Sequence, residues 1–251
     1  MITQKSEFFA LCSNNNSYHN YQLPTLNSQL STHHNSQFST GVHIITLNSQ
    51  LSTLNSQLNQ TSVYMKKSEL RKEIKNRKRQ FTSQQLSELS FVVVMRLLAH
   101  QRLKDARTVM LYYSLPDEVY THTLVDALLA SGKRVLLPRV TGEGTMELRC
   151  YTGPQSLEQG AYNIMEPVGE VFSDYAQIDL AVIPGVAFDR QLNRMGRGKG
   201  YYDRLLPQLG CAYKIGICFD FQLVESIECE EHDIRMDEVI TGEGQNSINA
   251  G

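Results

Sequence analysis

Apolar positions change their spacing from one stretch of the chain to the next, and each spacing points to an element. Leu86, Leu89, Val93 and Leu97 recur every three or four residues. That is the pattern of a helix with one buried face, running to about Gln101, and Thr82 or Ser83 can cap it. Arg107-Thr108-Val109-Met110-Leu111-Tyr112-Tyr113 is an apolar run of strand length. Helical spacing returns from Thr121 to Ser131, with Gly132 placed as the residue just past the helix end. Lys133–Pro138 is a second strand, so strand, helix and strand follow in order. This order predicts a parallel sheet whose ligands lie at the carboxyl ends of the strands. The loop Leu115–Thr121 lies at such an end. Met146–Tyr151 alternates like a strand, and Tyr213–Phe219 is another. Ile178–Pro184 is apolar almost throughout, as a central strand covered on both faces would be. Ahead of all these, Met65–Gln80 reads as a basic helix with Lys67, Arg71, Lys75 and Lys78 on one broad face.

Residues 1–64 follow none of these patterns. Thr25-Leu26-Asn27-Ser28-Gln29-Leu30-Ser31 recurs at 46–52 and, nearly, at 53–58. Such repeats are too few and too poor in apolar residues to build a core, so disorder is expected here. Translated upstream sequence, with Met65 as the original start, is a further reading. Residues 65–244 then form the folded domain, and 245–251 a loose polar tail.

Composition adds limits. With 41% hydrophobic residues in 251, the chain can bury a core. A formal charge of −2 gives no general attraction to nucleic acid or to an anionic membrane. No apolar run is long enough to span a bilayer as a helix. The five cysteines are scattered and free of C-x-x-C spacing, which fits reduced thiols in the cytoplasm.

The chemistry concentrates in Arg194-Met195-Gly196-Arg197-Gly198-Lys199-Gly200-Tyr201-Tyr202-Asp203. Glycines let backbone N–H groups approach a ligand and form a concave anion site. Arg197 and Lys199 add cations, and a helix from about Gly200 through Leu206 would add a positive end. G-x-G-x-G matches neither the dinucleotide pattern nor the P-loop, and alone it marks a turn as often as a site. Its crowding with Arg194, Arg197, Lys199 and Arg204 favours an anion, because unpaired cations repel one another.

Gly185-Val186-Ala187-Phe188-Asp189, followed by Asn193 through Asp203, closely resembles the signature of the 5-formyltetrahydrofolate cyclo-ligase family. In weaker form the resemblance runs from about Lys66 to about Thr241. It implies an α/β fold of the NagB/RpiA/CoA-transferase-like type, with a mainly parallel central sheet flanked by helices. It also implies that ATP and Mg²⁺ convert 5-formyltetrahydrofolate to 5,10-methenyltetrahydrofolate, with a monomer as the working form. Lys67 and Arg71 match an N-terminal element that contacts ATP. Arg194, Gly196, Arg197, Gly198, Lys199, Gly200, Tyr201 and Tyr202 match the nucleotide site, and Arg197 through Tyr201 also face the folate. Leu115, Tyr120 and Tyr162 match further substrate contacts, although the family usually carries an acid where this chain has Tyr120. Asp117 and Glu118 stand beside it. Tyr162 could equally pack in the core. Asp203 and Asp237 match the magnesium ligands. Arg197 and Lys199 are the catalytic candidates, neutralising charge on the transferred phosphoryl group.

Two other classes compete. A sugar-phosphate isomerase on a similar fold would need a positioned acid and base and no ATP. A nucleotide-binding regulator would use the basic helix as its contact surface. Nucleic-acid contact by that helix is disfavoured by the neutral charge balance and the lack of interleaved aromatics. Since residues 1–64 lack a core-forming pattern, a chain starting at Met65 should keep full activity and a similar melting temperature. Large loss of either, by activity assay and thermal melt, would show that the segment packs on the domain.

Overall fold

The computed structural model describes residues 65–160, 165–230 and 233–243, with the backbone of Ile248–Asn249. These belong to one unit, residues 61–251. Five α-helices occur among the described residues: α1 (Lys67–Lys78), α2 (Ser83–Ala99), α3 (Gln101–Asp105), α4 (His122–Ala130) and α5 (Tyr201–Leu205). The strands before the signature are β1 (Thr108–Met110), β2 (Arg134–Gly142), β3 (Thr145–Tyr151), β4 (Leu157–Gln159), β5 (Met165–Pro167), β6 (Val171–Phe172) and β7 (Leu180–Ile183). From the signature onward come β8 (Ala187–Asp189), β9 (Arg194–Met195), β10 (Tyr213–Ile217), β11 (Leu223–Val224), β12 (Glu238–Ile240) and β13 (Ile248–Asn249).

The main sheet has eight strands in the order β13-β12-β10-β7-β1-β2-β3-β6. From β12 to β2 every pairing is parallel, whereas β13, β3 and β6 add antiparallel edges. A hairpin joins β2 to β3 directly, which only antiparallel neighbours allow. The expected parallel sheet is therefore present, with antiparallel margins that the strand–helix–strand pattern did not announce.

β7 explains why its sequence is apolar throughout. Leu180 and Val182 pack with Val93, Leu97, Leu124 and Leu128 of the helices on one face. Ala181 and Ile183 pack with Phe188, Leu205 and Leu209 on the other. Alternate side chains point to opposite faces, so a strand covered twice has no polar position. Thr82 caps α2 as expected, through a capping box with Gln85. Gly132 lies beyond α4 at φ +84°, the left-handed backbone that favours glycine.

β8 and β9 form a hairpin carrying the signature loop. Asp189 holds it. This carboxylate is fully buried and accepts four hydrogen bonds, from Gln191 N (2.9 Å), Asn193 N (2.9 Å), Asn193 Nδ2 (2.9 Å) and Ile227 N (2.8 Å). It thereby ties the hairpin turn to the segment leading towards β12, with Leu192 at φ +67° inside the turn. Leu70 and Ile74 of α1 pack against Ala187, Met195 and Ile227, which docks the basic helix on the hairpin. Replacing Asp189 by Ala should lower stability by roughly 3 kcal/mol, because buried donors lose charged acceptors. Urea unfolding checks this. A loss below about 1 kcal/mol, the size of one ordinary hydrogen bond, would contradict the role.

Candidate active site

β1 and β7 end side by side at the middle of the sheet, and the chain leaves each into the wall of one cavity. After β1 come Tyr112, Tyr113, Leu115 and Glu118; after β7 come Pro184, Gly185 and Val186. Arg194, Gly196 and the run Arg197–Asp203 close the third side. Pro138, Val140, Met146, Met165 and Glu166 complete the wall from β2, β3 and β5. The cavity measures about 350 Å³, within the range of small-molecule sites.

Backbone geometry in the loop follows from its glycines. Gly198 and Gly200 have φ +91° and +72°, values that a side chain would strain. Arg71 of α1 reaches across and donates Nε–H to the Gly196 carbonyl at 2.9 Å. A Cβ on Gly198 would lie 3.4 Å from the Arg71 guanidinium carbon, so the two elements touch. Lys67, one turn earlier, does not line the cavity. Its ammonium donates to Asp233 Oδ2 at 3.0 Å and lies 3.6 Å from Glu230.

Three of the four loop cations prove to be separately occupied. The Arg194 guanidinium is buried, pairs with Asp203, donates to the Pro184 carbonyl at 3.3 Å and lies over the Tyr202 ring at 5.5 Å. Burial pulls its pKa down, against the raising influence of Asp203. Arg197 donates to Asp117 at 2.6 Å and to Glu118 at 2.9 Å. Burial lifts the Asp117 pKa, but the Arg197 hydrogen bond and the charges of Lys78 and Arg197 outweigh it and hold the carboxyl below its usual value. Arg204 donates to the carbonyls of Gly144 (3.2 Å) and Lys199 (3.4 Å), fastening the β2–β3 turn to the loop. The Lys199 ammonium meets no carboxylate among the described residues. Thus the expected repulsion is relieved largely by protein acids and carbonyls, and Lys199 is left to an incoming anion.

The helical end is weaker than expected. α5 has five residues, and Pro207 turns the chain into a 3₁₀ segment, Leu206–Gln208. Proline cannot extend an α-helix without losing a bond and clashing with the preceding turn. The positive potential here comes from side chains and loop amides.

Two further expected site residues lie away from the cavity. Tyr120 turns outward against His122, with ring centroids 4.5 Å apart, while Tyr113 stacks on His122 at 3.6 Å and lines the cavity. Glu118, two residues before Tyr120, supplies the acid in the wall. Asp237 sits at the amino end of β12, where its Oδ2 accepts Lys214 N at 2.7 Å. Since β12 runs parallel to β10 and β7, this is the far edge of the sheet. Asp203 lines the cavity and Asp237 does not. Tyr162 lies outside the described residues. Among the described residues no three His, Cys, Asp or Glu side chains converge on a metal position. Magnesium bound with nucleotide phosphates needs only one or two protein carboxylates, and Asp203 on the cavity wall fits that requirement.

The profile of the 5-formyltetrahydrofolate cyclo-ligase family matches residues 63–242. The chain belongs to this family. The Escherichia coli (strain K12) 5-formyltetrahydrofolate cyclo-ligase is 33% identical over 175 residues, covering 67% of this chain and 96% of the relative. The mouse 5-formyltetrahydrofolate cyclo-ligase is 29% identical over 186 residues, covering 68% and 91%. An NMR structure of the Aquifex aeolicus 5,10-methenyltetrahydrofolate synthetase superposes with a TM-score of 0.66 at 34% identity, covering 74% of this chain and 93% of that one.

In this cyclo-ligase family member, the stack beside the pocket gives a pH signature. Burial holds the His122 imidazole below its usual pKa, against the Ser114 carbonyl and Asp126, which raise it. The unfolded chain therefore binds this proton more readily than the folded one. His122 costs no stability well above its unfolded pKa of about 6.5, and stability falls as pH drops through that value. Unfolding free energies measured from about pH 7.5 to about pH 5 should fall less steeply in His122→Gln than in the parent chain. Parallel slopes would contradict the assignment.

Proposed function

We propose that the chain catalyses the ATP-dependent cyclisation of 5-formyltetrahydrofolate to 5,10-methenyltetrahydrofolate, releasing ADP and phosphate. The observation that carries this reading is the cavity itself. One wall is a glycine loop with an unengaged ammonium, and the opposite wall is apolar and aromatic. A phosphorylated ligand suits the first and a flat heteroaromatic ring the second. Membership of the family supports this reaction.

A formamide oxygen is a poor leaving group. Transfer of the γ-phosphoryl to that oxygen makes it part of a phosphate ester. N10 then attacks the activated carbon, the C–O bond breaks, phosphate departs and the N10 proton is lost to solvent. Both nitrogens belong to one molecule, so holding the folate folded provides the proximity. Arg194, buried and fixed, holds Asp203 and the loop base in place. Arg197 must leave Asp117 and Glu118, or share itself, to meet the phosphoryl oxygens. Lys199 is already available. Asp203 would hold Mg²⁺, which when bound neutralises charge on the phosphates. Arg71 keeps Gly196 in position, and Lys67 acts from the α1 side through its contact with Asp233. We assign the chain to the cytoplasm as a monomer without nucleic-acid or membrane partners. No described helix is long and apolar enough to cross a membrane.

Mixing protein, ATP, Mg²⁺ and 5-formyltetrahydrofolate should produce methenyl-folate absorbance, with ATP consumed only when the folate is present. ATP consumption without folate dependence would point to a different enzyme. Lys199→Ala should lower turnover roughly tenfold to a thousandfold while weakening ATP binding much less. Turnover within about twofold of the parent would leave the loop as a backbone-only cradle.

Magnesium titrations separate the two aspartates. Asp203→Asn should raise the Mg²⁺ requirement, and Asp237→Asn should leave it unchanged. An unaltered titration for Asp203→Asn would remove that residue from the metal.

A further inference from the structure

Three carboxylates line the cavity: Glu118, Asp203 and Glu166. The first two are paired with Arg197 and Arg194. Glu166 differs. It is 5% exposed, and its hydrogen bond among the described residues is a long one, from Val140 N to Oε1 at 3.4 Å. Arg139, on the neighbouring β2, gives its guanidinium to Glu158 at 2.7 Å and to the Pro167 carbonyl at 3.2 Å instead. On its other side the carboxylate lies against Gly160, where a Cβ would come within 2.2 Å of Oε2. The backbone thus leaves room for this carboxylate and places it in a wall of Pro138, Val140, Met146 and Met165.

A buried carboxylate is unfavourable unless donors meet it. It accepts only, through two oxygens side by side. The fitting partner presents two parallel N–H donors at matching spacing, as an arginine fork does. An amino-oxo-pyrimidine ring has such an edge, made of its ring N–H and the adjacent exocyclic amino group. Adenine does not, because its amino group adjoins a ring acceptor.

We propose that Glu166 is the specificity-determining residue that reads the aminopyrimidinone edge of the pterin. This rests on the formyl-folate reading of the site. Glu166 lines the cavity together with Pro138, Val140, Met146 and Met165, whereas Arg197 and Lys199 line it from the glycine loop. Gripping the pterin by its pyrimidine edge directs the opposite edge, which carries N5 and its formyl group, towards Arg197 and Lys199. The residue therefore sets both which ring enters and which way round it lies.

The test uses the full chain, 5-formyltetrahydrofolate and an analogue lacking the 2-amino group. Glu166→Gln keeps the shape but turns one oxygen into a donor that opposes a ligand N–H. The KM for 5-formyltetrahydrofolate should rise about tenfold to a hundredfold, the size expected for charged hydrogen bonds, while the KM for ATP stays within about twofold. The parent should discriminate against the analogue by a similar factor, and Glu166→Gln should lose that discrimination. Gly160→Ala, which pushes the carboxylate aside without changing its charge, should raise the folate KM in the same direction. An unchanged folate KM in both variants, an equal rise in the ATP KM, or undiminished discrimination in Glu166→Gln would overturn the proposal. A parent chain that turns over no formyl-folate would instead reject the reading on which it rests.

Discussion

A buried guanidinium holds this site together. Arg194 is fixed by Asp203, by the Pro184 carbonyl at 3.3 Å and by the face of Tyr202. These partners come from α5 and from the end of the central strand β7, while Arg194 itself belongs to the β8–β9 hairpin. One cation therefore joins three elements beneath the cavity. Removing Asp203 leaves the Arg194 guanidinium buried without its counter-charge, which is far worse than never having had the pair. Asp203 is both the counter-ion to Arg194 and a carboxylate on the cavity wall.

The remaining cations divide the work by how firmly each is held. Arg204 is fastened to the carbonyls of Gly144 and Lys199 and shapes the loop. Arg197 rests against Asp117 and Glu118 across the cavity mouth, half exposed, in contacts that an incoming anion can exchange. Lys78 reaches the same Asp117, so α1, the loop after β1 and the signature loop meet at one carboxylate. Lys199 stands apart from these pairs. A phosphoryl group entering here meets one available ammonium, one exchangeable guanidinium and a cradle of amides whose glycines make close approach possible.

Much of this was legible in the sequence because burial writes itself as pattern. Ile178–Pro184 read as a central strand since both faces of β7 are covered, and the glycines of 196–200 marked a loop since Gly198 and Gly200 take positive φ. Arg71 and the signature loop, far apart in sequence, are joined at Gly196. Other features depend on relations that no local pattern carries. Tyr120 was placed on the substrate, but Thr121 pins the loop to Tyr112 and Ser114, and Ser90 holds the Tyr120 amide, so Glu118 faces inward and Tyr120 outward. Asp237 was paired with Asp203, but the direction of β12 puts it at the opposite sheet edge. The antiparallel margins of the sheet depend on where strands pair, which spacing along one strand does not encode. An acid between Met165 and Pro167 carries no local signal until the fold buries Glu166 in an apolar wall.

At the centre of this account is the transfer of a phosphoryl group to the formyl oxygen, with that oxygen leaving as phosphate. 5-Formyltetrahydrofolate carrying a heavy-oxygen label in its formyl group, turned over with ATP and Mg²⁺, tests this most directly when the released phosphate is analysed by mass spectrometry. The account predicts one labelled oxygen in the phosphate for each methenyl product formed. Unlabelled phosphate accompanying the methenyl product would contradict it.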